Sequence, residues 1–405
     1  MNPWTLASAE WRSQRGAFWG VALLLATALA FALSVGWVER GLREAGARSA
    51  QRFDLLVGVA GSPTQLVLSS VYLQPQALPL LPPPVWDELA RDPGVAQLIP
   101  LAGGDAVGPW PVVGTSAAIF TGPRGFALAE GQAFRAPGEA VVGAEVTLAL
   151  GAEVKLAHGA PQTGGDDTAD PAETHAAPLR VVGRLQATGG PWDRAVLLPI
   201  EQLWAAHAMG HDVSHGAARP DTSAPHLAQQ VPVLAVQPRS VADAYRLRQR
   251  WRSGGLMAVF PAEVLAELAD TLGDARRLVE ALSAGTQALV FGAGLLTVAV
   301  LLATRRQAYA ALRALGAPRR YLFALGWLLG MGVALRACAL ALPLAWAMSQ
   351  LAQQAVHRAT GLSLTLRPVW ADLQLPAGLL LACALGASLL AWRACTRSVI
   401  DDLRA

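Results

Sequence analysis

The stretch RRQAYAALRALGAPRRYLF, residues 305–323, lies between two apolar runs and decides how the rest of the chain is read. It carries five arginines (Arg305, Arg306, Arg313, Arg319 and Arg320) and no acidic residue. A short, purely basic loop between membrane spans belongs on the cytoplasmic side by the positive-inside bias. Tyr309, Leu312 and Leu315 recur at helical spacing, and Gly316 and Pro318 then stop the helix. A compact cytoplasmic helix that ends in a sharp turn is a handle for a soluble partner.

Outward from that loop, composition sets the class. The chain has 405 residues, 53% hydrophobic and 15% charged. That is too apolar for an ordinary soluble enzyme and too polar for a chain that is all membrane. The net charge of +3 hides an asymmetry: residues 39–283 hold 25 acids against 19 bases, and the rest holds 4 acids against 13 bases. An acidic domain between basic membrane flanks is expected when that domain is exported. The cysteines (Cys338, Cys383, Cys395) all fall in the C-terminal apolar part, so the large domain folds without disulfides. The expected fold class is a membrane protein with four transmembrane α-helices and an α+β extracytoplasmic domain inserted between spans 1 and 2.

Residues 1–16 read as a cytoplasmic amphipathic helix, with Asn2 as N-cap, Pro3 at the first position, and Trp4, Ala7, Ser8 and Trp11 on one face. Residues 17–38 contain no charge and are long enough to cross ~30 Å of hydrocarbon as the first span. Ala28-Leu29-Ala30 resembles a signal-peptidase site, but the apolar run continues through it, so this span is read as uncleaved. The water-facing periplasmic domain covers 39–283, opening with a helical continuation over Glu39–Arg52. DLLVGVAGSPTQLVL then reads as a strand, a turn, and a strand or helix start. Short β-like runs follow at Val112–Val113, Ala140–Val142, Leu179–Val182, Ala195–Leu198 and Val231–Val236. Helical patterns occupy Pro84–Arg91 and Val241–Arg252. Together these describe a domain of two parts.

Between those parts lies a His/Asp-rich insert, about 158–226, which holds six of the seven histidines. His207, His211 and His215 are spaced by four, and with His226 and the neighbouring acids they suit zinc or a similar divalent ion. The competing reading is a solvated polar loop, because Gly210, Gly216, Pro220 and Pro225 oppose a long helix. HExxH is absent, so no metalloprotease is indicated.

A stalk helix, about 261–283, leads into the second span, 284–304. One continuous helix over both would be ~64 Å long at ~1.5 Å per residue, an arm fit to carry motion across a bilayer. The coupling loop occupies 305–320, and span three covers 321–351. Within that span, Arg336 is expected to reach the outer headgroups, Gly326 and Gly330 form a GxxxG, and Pro343 ends or kinks the helix. A short periplasmic loop (352–372), span four (373–392) and a cytoplasmic tail (393–405) complete the chain.

Several chemistries are missing. No GxxxxGK[ST], GxSxG or CxxC occurs, so the chain is not expected to be an enzyme and any ATP hydrolysis belongs to a partner. The basic residues are membrane flanks, not a nucleic-acid patch. The spans lack the acid and histidine chains of proton-coupled carriers.

The layout and the loop resemble the FtsX-like permease family of ABC transporters, the group that includes MacB-type exporters. The specific piece is Leu312-Arg313-Ala314-Leu315-Gly316-Ala317, which matches the family's L-R-A-L-G-A. Ala308 departs from it, since relatives usually carry a glutamate there. The resemblance implies a homodimer in the inner membrane, both termini cytoplasmic, bound to a dimer of a separate cytoplasmic ABC ATPase that supplies ATP and Mg. It implies that Arg305, Arg306, Tyr309, Leu312, Arg313, Leu315, Gly316, Arg319 and Arg320 couple that ATPase to the periplasmic domain, which exports or extracts a substrate at the outer face. Two alternatives stay open: a signalling module that activates a periplasmic protein without transport, and a zinc-linked transporter or sensor using the His-rich insert.

Overall fold

The computed structural model describes residues 3–158, 178–206, 230–268 and 316–396, with isolated positions between 270 and 311. In chain order the helices used below are α1 (Pro3–Ser13), α2 (Arg15–Ala50), α3 (Pro63–Ser70), α4 (Pro83–Arg91), α5 (Val241–Arg250), α6 (Arg319–Thr360) and α7 (Gln374–Thr396). The strands used below are β1 (Leu55–Val59), β2 (Val95–Val107), β3 (Trp110–Thr115), β4 (Leu128–Gly131), β5 (Glu139–Val142), β6 (Glu153–Val154), β7 (Ala157–His158), β8 (Leu179–Leu185), β9 (Val196–Pro199), β10 (Val233–Pro238) and β11 (Leu256–Val259). The chain divides into two compact units. One comprises Met1–Gly41, Gly273–Ala355 and Thr365–Ala405, and the other comprises Leu42–Leu272 with Val356–Leu364.

The first unit is helical. Three described helices are long and apolar enough to cross a membrane: Arg15–Ala50, Arg320–Thr360 and Trp370–Leu389. The expected second span, 284–304, lies largely outside the described residues. Ala22, Ala26 and Ala30 of α2 pack with Leu329, Val333, Ala337 and Ala341 of α6. Small side chains at i, i+4 spacing let two helix backbones approach, and packing of this kind drives association where lipid is as apolar as the protein. Pro343 lies inside α6 and does not end it, so of its two expected effects only a kink remains. The helix continues past residue 351 to Thr360, with no glycine or proline between 351 and Gly361, whose φ of +70° follows its end.

Among the described residues, the second unit is built on a mixed sheet of eleven strands, ordered β11-β1-β10-β2-β3-β9-β5-β8-β4, with β6 on β8 and β7 on β2. β1 lies between β10 and β11, buried along Leu55–Gly58 with Val59 half-buried, so it reads LLVGV without polar alternation. Leu55 and Val57 face one core with Leu89 of α4 and Leu247 of α5, while Leu56 faces the other with Leu66 and Val67 of α3. Each such fully buried aliphatic side chain contributes about 1.5–3 kcal/mol. Gly58 sits in β1, and a Cβ there would come within 2.7 Å of Leu66 Cδ1. α3 then starts on Ser62, whose hydroxyl accepts the Gln65 N–H at 3.3 Å, with proline at its first turn.

β2 joins the two parts of this sheet. Its residues 95–101 pair antiparallel with β10, and its residues 102–107 pair with β3. The partner change is marked by Pro100 and by a register shift between Gly103 and Ala106, where Gly104 has φ of +133°. Beyond β3 the ladder alternates parallel and antiparallel: β3 is parallel to β9, β9 antiparallel to β5, and β5 parallel to β8.

Candidate functional site

The described residues reach the end of the basic loop. Arg305, Arg306, Tyr309, Leu312, Arg313 and Leu315 lie outside them, as do His207, His211, His215 and His226. Gly316 is described, with φ of +93°, a region that glycine enters without strain. That is the conformation a helix-ending glycine takes, as its place after Leu315 suggests. Pro318 and Arg320 are exposed, whereas Tyr321 is buried and donates its backbone N–H to the Pro318 carbonyl at 2.9 Å as α6 begins. The exit of the loop is therefore a fixed turn with a solvent-facing arginine. Among the described residues no group of three or more His, Cys, Asp or Glu side chains could hold a metal ion.

A second cluster lies on the turn before α7. Asp372 Oδ2 accepts Trp37 Nε1–H at 2.7 Å, and Arg40 Nη2 donates to both carboxylate oxygens at 2.8 Å. The Val369 N–H closes the turn on the same carboxylate at 2.8 Å. Sequence reading left Asp372 in a short loop with no role. The missed signal is that it is the sole acid between residues 284 and 400. Next to it Trp370 is 87% exposed, an aromatic of the kind that sits at headgroup level.

In α6, Arg336 is held against α1. Its guanidinium lies 3.8 Å over the Trp11 ring of α1 and donates to the Gly332 carbonyl at 2.9 Å. A cation over an indole face is stabilised without a counter-ion, which removes the need to snorkel. Of the GxxxG pair, Gly330 meets Ala387 of α7: a Cβ on Gly330 would stand 2.8 Å from the Ala387 Cβ.

In the sheet-containing unit, Val356–Leu364 is part of the domain's own packing. Leu362 and Leu364 are buried, Ser363 N–H donates to Gly189 O at 3.1 Å, and Arg194 Nη1 donates to Arg358 O at 3.1 Å. His357 Nε2 lies 3.1 Å from Glu145 Oε2. Gly189 is itself held, because Asp193 accepts the backbone N–H of Thr188 and Gly189 and the Thr188 hydroxyl, all within 2.8 Å. Elsewhere in the domain the carboxylate of Asp92 is 1% exposed. It takes Arg246 Nη2 at 2.6 Å, Arg250 Nη1 at 3.2 Å and the Gly94 N–H at 2.9 Å. The Arg246 hydrogen bond, with Gly94 and both arginine charges behind it, holds the Asp92 carboxyl below its usual range despite burial. Nothing in these clusters is a nucleophile beside a base; they position elements and hold charges.

Comparison with known proteins addresses the same regions. Residues 281–399, which contain the basic loop, α6 and α7, match the family model described as FtsX-like permease C-terminal. No curated protein matches the chain. Among solved structures, the periplasmic region of MacB from Actinobacillus actinomycetemcomitans aligns at 9% identity and a TM-score of 0.33, covering 54% of this chain and 95% of that one. The extracellular domain of the noncanonic ABC-type transporter YknZ from Gram-positive bacteria aligns at 11% identity and a TM-score of 0.30, covering 51% and 98%. Residues 281–399, whose loop carries Leu312–Ala317, are thus similar to the C-terminal part of FtsX-like permeases.

Proposed function

We propose that this chain is the membrane subunit of an ABC transporter of the inner membrane. It works as a homodimer, with both termini in the cytoplasm, on a dimer of a separate ATPase. The observation that carries the reading is the FtsX-like match over residues 281–399, centred on a basic loop between apolar segments. The chain itself hydrolyses nothing. Arg305, Arg306, Tyr309, Leu312, Arg313, Leu315, Gly316, Arg319 and Arg320 receive the motion of the ATPase, and the extracytoplasmic domain uses it to export or extract a substrate at the outer face. The exposed Arg320 and the fixed turn at Gly316 support a loop that presents a docking surface.

Co-expression with an ABC ATPase encoded by a neighbouring gene tests this. The native permease should co-purify with the ATPase and change its turnover, and Leu312→Asp with Arg313→Glu should break the complex while leaving the permease folded. An intact complex with that double variant, or an ATPase whose turnover ignores the permease, overturns the proposal.

A further inference from the structure

The turn that opens α7 carries an apolar tip on a fixed frame. The Asp372 N–H donates to the Val369 carbonyl at 2.9 Å, and its Oδ2 accepts the Val369 N–H at 2.8 Å. Residues 369–372 therefore close on themselves, and Trp37 and Arg40 of α2 hold the same carboxylate. Pro368 restricts the backbone just before the turn. On this frame Val369, Trp370, Leu373 and Leu375 are 43%, 87%, 46% and 38% exposed. A turn that faces water is made of Gly, Asn, Asp and Ser, so four exposed apolar side chains within seven residues need another surrounding.

Two observations place the tip at a lipid boundary. Trp37 lies at the end of the uncharged run 17–38, after which Glu39 and Arg40 begin the charged part of α2. Its hydrogen bond to Asp372 sets the turn at the level where α2 leaves hydrocarbon. Towards the other end of α7, Trp392 is 59% exposed. From Gln374 to Trp392 the helix runs ~27 Å at ~1.5 Å per residue, close to the ~30 Å of a hydrocarbon core. Exposed indoles that bracket such a length anchor a helix at the two membrane interfaces.

The charge on the turn is unbalanced. Arg40 is spent on Asp372 through two hydrogen bonds of 2.8 Å. Arg367, three residues before Trp370, is exposed and has no acceptor among the described residues. A guanidinium presents paired N–H donors that match two oxygens of a phosphate, and at headgroup level phosphate is the acceptor at hand. With Arg40 and Asp372 cancelling, Arg367 leaves the turn with a net positive charge.

We propose that residues 367–373 dock a phospholipid headgroup, with Trp370 seated at the boundary between headgroup and acyl chain and Arg367 taking the phosphate. The net charge of the turn selects anionic over zwitterionic lipid. The site rests on the helical unit crossing a bilayer and holds whether or not the chain couples to an ATPase.

The full chain in nanodiscs provides the test. Its native cysteines are replaced by alanine, and Ala371→Cys carries an environment-sensitive fluorophore beside the tip. Nitroxides near the headgroup should quench it more strongly than nitroxides at the acyl-chain end, and aqueous iodide only weakly. Headgroup-labelled phosphatidylglycerol should be enriched at the label about fivefold over phosphatidylcholine, the scale of one cationic side chain near an anionic surface. Arg367→Gln should abolish that preference and Arg367→Lys should keep most of it, with thermal unfolding unchanged. Native mass spectrometry of the unlabelled chain needs no cysteine replacement, and there Arg367→Gln should retain fewer phosphatidylglycerol molecules than the native protein. Equal quenching by the two lipids, a label as open to iodide as the free fluorophore, or a folded Arg367→Gln with the native lipid preference overturns the site.

Discussion

The indole of Trp37 donates its Nε1 hydrogen to Asp372 Oδ2 at 2.7 Å, tying α2 to the turn that opens α7. Arg40 grips the same carboxylate through both oxygens, so one acid satisfies donors from two turns of α2. Asp372→Asn keeps the size but removes the charge and one acceptor, leaving Arg40 in a half-buried place without its counter-ion. The expected loss is about 1–3 kcal/mol, the range for hydrogen bonds to a charged group. Thermal unfolding in nanodiscs measures it. Arg40→Gln should cost a similar amount, and the double variant should cost less than the sum, since both remove one interaction. Additive losses would mean that the pair does not act as a unit.

Asp92 gives a pH dependence with a definite sign. Its carboxyl is held below the ordinary value, first by the Arg246 hydrogen bond and then by Gly94 and the arginine charges. A depressed folded pKa means a contribution fully present above the unfolded value of about 3.9 and lost as pH falls through the folded pKa. Asp92→Asn should therefore lower the melting temperature of the domain by roughly 2–4 °C near neutral pH and progressively less below about pH 4. Asp54 has the opposite sign, because burial outweighs Arg124 and raises its pKa. Its contribution is present below the unfolded value and is lost as pH rises through the folded one. Melting curves of Asp92→Asn and Asp54→Asn from pH 3 to 7 should then diverge in slope.

Two glycines with similar dihedral angles should respond differently to the same change. Gly131 has φ of +73° and Gly138 φ of +89°, so alanine is strained at both. At Gly131 the added Cβ would also meet the Val182 carbonyl oxygen at 2.2 Å, where β4 pairs with β8, while at Gly138 the space is open. Gly138→Ala should cost about 1–2 kcal/mol from the backbone alone. Gly131→Ala should exceed about 4 kcal/mol, because neither backbone can yield without breaking the ladder. Limited proteolysis and thermal unfolding of the two variants should rank them in that order.

Much of this architecture is legible in the chain because a single physical rule governs each legible piece. Apolar runs bounded by charge mark α2, α6 and α7, and the runs at Ala140–Val142, Leu179–Val182 and Val231–Val236 fall within or against β5, β8 and β10. β2 escapes the same reading because it contains Pro100, Gly103 and Gly104, residues that normally punctuate a strand. Those residues are what let it change partners and weld the two parts of the sheet, so the exception marks the most organising strand of the domain. The clusters on Asp372 and Asp92 were hidden for another reason. Each joins residues more than 150 positions apart, and no local spacing encodes a long-range ion pair. The contact of Arg336 with Trp11 was hidden in the same way, since it joins residues more than 300 positions apart.

The contact between Gly330 and Ala387 is the tightest test of how the last two described helices pack. A Cβ at position 330 would lie 2.8 Å from the Ala387 Cβ, well inside van der Waals contact, and Ala387 is itself 3% exposed. Neither α6 nor α7 can shift one side chain alone, since both contacts are at the first carbon from the backbone. Gly330→Ala should therefore force the helices apart and destabilise the membrane unit by about 1–3 kcal/mol, the usual cost of overpacking. Gly330→Ala combined with Ala387→Gly returns the lost space from the other side and should recover most of that loss. Gly378→Ala, where the added carbon meets nothing, serves as the control and should be close to neutral. If the double variant unfolds as readily as Gly330→Ala, the two residues do not share a contact in the folded membrane protein.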